Sequence, residues 1–154
     1  MGRQDRPTLV VSRHSLLIAL AILAACDSAG VPTSSSEPEA SRKDFPPPPQ
    51  GKATLYVASG YIPDVAVIAV GASTVGSLSR NSSLRLDLAP GTYDVHARSS
   101  YSVSSLSITI AADSSTFVQL QYIDSRPWRD VLSQVSQTEG RALVSAARPV
   151  AAPR

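Results

Sequence analysis

From Lys52 to Ile123 the chain alternates apolar and polar residues with a period of two, and turn residues interrupt the pattern about every eight to twelve positions. This constrains the fold more than any other feature, because side chains alternate between the two faces of a strand, whereas a helix needs a 3.6-residue period. Strands are expected at about 53 to 58, 64 to 70, 74 to 78, 83 to 89, 92 to 99, 104 to 111 and 116 to 123. Leu84, Leu86 and Leu88 oppose Arg85 and Asp87; Tyr93, Val95 and Ala97 oppose Asp94, His96 and Arg98; Leu106, Ile108 and Ile110 oppose Ser105, Ser107 and Thr109. Each strand is therefore expected to have one dry and one wet face. Two sheets packed face to face bury seven such strands, giving an all-β fold, an antiparallel β-sandwich of about seven strands.

Local register is also readable. The segment Ala89, Pro90, Gly91, Thr92 suits a type II turn, which predicts a hairpin pairing Leu88 with Tyr93, Leu86 with Val95 and Leu84 with Ala97. Val65 to Val70 is apolar almost throughout and reads as a central strand. After Ile123 the loop from Asp124 to Arg129 breaks the pattern. Val131, Leu132 and Val135 fit either a last strand or a helical turn. Thr138 to Ala147 leaves room for a short C-terminal helix, capped by Thr138 and with Leu143 as its main apolar contact. The tail 148–154 is expected to fray.

The N-terminal region is of another kind. Residues 1 to 14 are polar with Arg3, Arg6 and Arg13, residues 16 to 25 are uninterrupted Leu, Ile and Ala, and Cys26 follows. A basic flank before a short apolar run is an export signal, and the run has about half the roughly 20 residues needed to span a bilayer. Leu23, Ala24, Ala25 and Cys26 resemble the lipobox of bacterial lipoprotein signal peptides. The resemblance implies cleavage after residue 25, a diacylglyceryl group on the Cys26 thiol and commonly a fatty acyl chain such as palmitate on its amine. Two or more chains suffice for stable anchoring. Asp27 resembles an inner-membrane retention signal that does not hold across lineages, so inner and outer membranes both stay open. Residues 26–51, with three serines at 34 to 36 and four prolines at 46 to 49, read as a tether with little to bury, and 52–147 as the domain.

Composition narrows the function. Three of the fourteen basic residues and one of the twelve acidic ones lie in 1–25, leaving eleven of each and no basic stripe for nucleic acid. Cys26 is the only cysteine, so neither an intramolecular disulfide nor a thiolate metal cluster can form. His96, the one histidine after residue 25, sits on the wet side of its strand with Arg85 expected opposite. No phosphate loop, nucleophile elbow or metal-ligand spacing accompanies it. The expectation is no enzyme, no cofactor and no metal. Trp128, flanked by Arg126 and Arg129, is the candidate partner contact. The competing reading, which the sequence favours, makes Trp128 a plug for the open end of the sandwich.

The order of motifs carries a resemblance: Leu55, Tyr56, Val57; a turn at Gly71; Val75, Gly76, Ser77, Leu78; Leu84 to Leu88; the Pro90, Gly91, Thr92, Tyr93 corner; a hydroxyl-rich strand; Thr116 to Tyr122; and Glu139, Gly140, Arg141. It is similar to an uncharacterised domain family of small bacterial lipoproteins, and more loosely to the prealbumin-like sandwiches of transthyretin and the carboxypeptidase regulatory domain. The resemblance covers about residues 52 to 146 and implies a lipid-anchored module in the cell envelope, facing the periplasm. Its expected role is structural or interactive, through an exposed edge strand, with an unknown envelope protein as partner. The alternative is a module binding an envelope glycan or small ligand through Trp128 with Tyr61 or Tyr122.

Overall fold

The computed structural model describes residues 44–150. The expected export signal with Leu23, Ala24 and Ala25, the expected lipidation site Cys26, Asp27, most of the expected tether and residues 151–154 lie outside the described residues. The elements run β1 (Ala53–Ser59), β2 (Ala66–Val70), β3 (Ser73–Leu78), β4 (Ser82–Leu88), β5 (Gly91–Arg98), β6 (Val103–Ile110), β7 (Ser115–Ile123), β8 (Arg129–Val135), helix α1 (Gln137–Ala146) and β9 (Arg148–Pro149). One sheet has the order β8-β7-β1-β4-β9 and the other β3-β2-β5-β6. The pairings are antiparallel except for β1 with β7 and β4 with β9. The fold is the all-β sandwich that the alternation demands, and Leu55, Ile68, Leu86, Val95, Ile110 and Leu120 meet between its sheets.

The expected hairpin at Pro90 does not form. β4 pairs with β1, Leu86 facing Leu55, while β5 pairs with β2 and β6 in the opposite sheet. Ala89 to Gly91 is thus a crossover between sheets. The Tyr93 hydroxyl donates to the Ala89 carbonyl at 2.8 Å, a clasp of the tyrosine-corner kind. Alternation misleads here because strands in one sheet and strands in facing sheets both turn their apolar residues to the same core. The phase of the pattern is identical in the two arrangements, so matching phases do not prove pairing.

A second departure is on the outer face of the five-stranded sheet. All seven residues of β1 are buried, and Arg85, expected on a wet face, is buried too. Tyr56, Ala58 and Phe117 form a second core with Val144 of α1, flanked by Phe45, Val135 and Leu143. Tyr56 and Phe117 stack with ring centroids 5.0 Å apart, and Phe45 meets them edge-on at 5.6 and 6.0 Å. The sandwich therefore has a third layer, made of α1 and the end of the tether.

Ser136, not Thr138, caps α1: its Oγ accepts from the Glu139 N–H at 3.3 Å. The sequence Ser136, Gln137, Thr138, Glu139 is a capping-box pattern. Val144 rather than Leu143 is the fully buried apolar contact. The helix stops where Pro149 disfavours a helical Arg148. Instead of fraying, the chain then pairs with β4, Val150 N–H donating to the Ser83 carbonyl at 2.8 Å. Val131, Leu132 and Val135 belong to a strand, β8.

The tether joins the domain before residue 52. Phe45 takes a left-handed φ of 50°, which a non-glycine residue holds only when packing compensates. The Gly51 N–H donates to Asp113 Oδ1 at 3.2 Å, and the Asp113 N–H to the Lys52 carbonyl at 2.8 Å. Phe45→Ala is expected to lower stability by about 2 kcal/mol, roughly half the loss for a fully buried phenylalanine, and to open residues 44 to 51 to protease. Urea melts and limited proteolysis check this; an unchanged melt and cleavage pattern would mean that the third layer stands without the tether.

Candidate functional site

Register fixes which residues share an end of the sandwich. Ala58 lies beside Ser83 and Ser59 beside Leu120; Ile123 faces Arg129; Arg98 faces Val103; and Ala66 faces Leu78. The loops after β1, β3, β5 and β7 therefore converge. They carry Tyr61 and Asp64, Arg80, Tyr101, and Asp124 to Trp128 respectively. The opposite end holds Lys52, Pro90, Thr92, Thr109 and Asp113, all exposed.

Hydrogen bonds tie the converging loops together. The Val65 N–H donates to Asp64 Oδ1 at 2.7 Å. The Ser100 hydroxyl, ahead of that amide, holds the Asp64 carboxyl below the usual carboxylate range. Ser99 Oγ donates to Asp130 Oδ2 and accepts from the Tyr101 N–H. The N–H groups of Asp130 and Leu132 donate to Ser102 Oγ and Ser104 Oγ at 2.8 and 3.0 Å. Ser102, just before β6, and Ser104 within it thus satisfy backbone donors of β8 and seal the gap between the sheets, which blunts two edges that would otherwise accept a foreign strand. The hydroxyl-rich strand of the sequence has its physical reason here.

The aromatic residues stay outside this seal. Trp128 is 48% exposed and Tyr61 57%, with the Arg126 guanidinium 5.5 Å from the Trp128 ring and that of Arg80 4.3 Å from the Tyr61 ring. Trp128 does not plug the end as expected: Ser99, Ser102 and Asp130 close it, and Trp128 stays half-exposed beside Arg126. Tyr101 meets Tyr122 edge-on at 5.6 Å. Desolvation pushes the Tyr122 hydroxyl above the ordinary phenol range, helped by Asp124 and by Tyr101, Tyr61 and Asp130. Tyr61, Tyr101 and Tyr122 are neighbours although 61 residues separate the first from the last, a juxtaposition that no local pattern announces. Arg129 is exposed at the start of β8.

His96 lies between Ala69 and Ser105, not opposite Arg85, because β4 and β5 belong to different sheets. Among the described residues no three His, Cys, Asp or Glu side chains are grouped so as to hold a metal. Trp128→Ala is expected to change stability by less than about 1 kcal/mol, the range of an exposed cation–π contact. A drop of about 3 kcal/mol in a urea melt would restore Trp128 to a structural role.

No protein-family model matches the chain, and no curated protein matches it. Among solved structures it is similar to the N-terminal domain of AlgF from P. aeruginosa, with a TM-score of 0.37 and 16% identity over 57% of this chain and 98% of that one.

Proposed function

We propose that the protein is a lipid-anchored lipoprotein of the bacterial cell envelope that presents its sandwich, facing the periplasm, as a non-enzymatic interaction module. The observation that carries this reading is the apolar run of residues 16 to 25 ending at the only cysteine, Cys26. That thiol is free of any disulfide within the chain and available for lipid. Among the described residues the first to pack on the domain is Phe45, and the Ser- and Pro-rich composition between Cys26 and that point suits a spacer. Among the described residues no helix is long and apolar enough to cross a membrane. The sealed gap between β6 and β8 supports contact through the aromatic end, with Trp128, Arg126 and Arg129, rather than through those edges. Exposure of Trp128 and Tyr61 also favours a second reading, an envelope glycan or small ligand held at the same end.

Metabolic labelling with a clickable fatty acid, followed by fractionation of both membranes, tests the proposal. Wild type is expected to carry label and to sediment with one membrane, and Cys26→Ala to lose both. An unlabelled, soluble wild type would overturn it.

A further inference from the structure

Among the described residues, the large apolar side chains that stand exposed are Tyr61, Val65, Val67, Tyr101, Val103 and Trp128, and register puts all six at or next to the end where the four loops converge. Exposed apolar residues scattered singly need no explanation, but a gathered set marks a surface that something covers. We infer that this end docks on the bilayer that holds the lipid of Cys26. The inference deepens the lipoprotein reading and rests on it.

Three observations favour lipid over a glycan or a protein partner. First, the set mixes aromatic rings with aliphatic valines. Trp and Tyr favour the headgroup level of a membrane, and branched aliphatics gain by entering the acyl boundary, whereas a sugar platform has no use for Val65, Val67 and Val103. Second, Arg80, Arg98, Arg126 and Arg129 surround the set and are exposed, against the exposed carboxylates Asp64 and Asp124. Guanidinium groups at this depth reach phosphates while their stems stay in apolar surroundings. Third, the spacer from Cys26 to Asp44 is 18 residues (44 − 26), with a contour of at most roughly 60 Å. The sandwich, whose strands have seven to nine residues in the five-stranded sheet apart from β9, is about 25–30 Å tall. The lipid therefore leaves either end free to meet the bilayer, and among the described residues the exposed large apolar side chains gather at this one, the other end showing the small Ala89, Pro90, Ala111 and Ala112. Tethering raises the local concentration of the surface, so weak intrinsic affinity is enough.

Trp128 is the only tryptophan and reports on its own surroundings. The mature lipidated protein is reconstituted in vesicles of phosphatidylethanolamine and phosphatidylglycerol, with or without phosphatidylcholine brominated near the headgroup. Docking gives a blue-shifted Trp128 emission that is lost in brominated vesicles, while the double variant Tyr61→Ser/Val103→Ser floats with the vesicles and keeps its emission. Circular dichroism confirms that this variant is folded. Wild type that floats with vesicles but emits equally in both lipids overturns docking and leaves the anchor standing. Emission indifferent to bromine yet shifted by soluble murein fragments also overturns it, in favour of a glycan. Protein without lipid, failing to float, overturns anchor and docking together.

Discussion

Gly140→Val is expected to lower stability by about 3 kcal/mol, which for a domain of this size moves the melting temperature down by roughly 12–20 °C. A Cβ at residue 140 would lie 2.3 Å from both Cβ and Cγ of Phe117 and 2.6 Å from its Cδ1, far inside the roughly 3.5–4.0 Å of a favourable carbon contact. Phe117 Cβ is fixed to the backbone of β7, so ring rotation relieves only part of the overlap and α1 must move away from the sheet. Two effects compete in Gly140→Ala. Alanine gains about 1 kcal/mol of helix propensity over glycine, while overpacking typically loses about 1–3 kcal/mol. With two clashes at 2.3 Å the steric loss wins, so alanine is also destabilising, though less than valine. Thermal melts of both variants check this, and a melting temperature at or above wild type would mean that α1 does not rest on Phe117.

Asp87→Ala is expected to lower stability by about 3 kcal/mol. The Asp87 carboxylate accepts from the Thr54 hydroxyl at 2.7 Å and from Arg85 Nε at 3.3 Å, and its Oδ1 is also 3.3 Å from Arg85 Nη2. The two side chains are only 4% and 12% exposed, so truncation removes the counter-charge of a buried guanidinium and the acceptor of the buried Thr54. Asp87→Asn keeps an acceptor for Thr54 but not the charge, and is expected to lose about 1–2 kcal/mol. Replacing both partners by apolar residues, Arg85→Met with Asp87→Leu, is expected to lose only about 1–2 kcal/mol, because no charge remains buried and the remaining loss is the Thr54 hydroxyl left without its acceptor. Urea denaturation of the series reads these differences. A loss below about 1 kcal/mol for Asp87→Ala would show that other contacts of Arg85 neutralise it.

Both variants act on the outer face of the five-stranded sheet, which with its cover is the part of the fold least legible in the sequence. The strands could be read because inward Leu84, Leu86, Leu88 and Ile108, Ile110 must alternate with outward residues in any sandwich. What alternation does not encode is the partner of each strand, and so the corner at Pro90 reads equally well as a hairpin. Nor does it encode a cover on the outward face. Thr54, Tyr56 and Ala58 have the composition of a half-wet face, and only the pairing of Tyr56 beside Phe117 in the β1–β7 register makes an aromatic surface for α1 and Phe45 to cover. The helix start is misread by two residues: Thr138 offers a competing cap, while Ser136 and Glu139 form the capping pattern the helix uses. At the converging end Trp128 and its arginines stand out locally. Tyr61 and Tyr122 are read only as alternatives beside Trp128 and Tyr101 not at all, because topology alone brings two distant loops and the end of β7 together.

Intact-mass spectrometry of the protein extracted by detergent from isolated membranes tests the proposed lipid anchor directly. The expected mass is that of residues 26 to 154 plus a diacylglyceryl group, commonly with one further acyl chain, and fragmentation puts the added mass on Cys26. A chain still carrying residues 1 to 25, or one ending in Cys26 with a free thiol and no lipid, would contradict it.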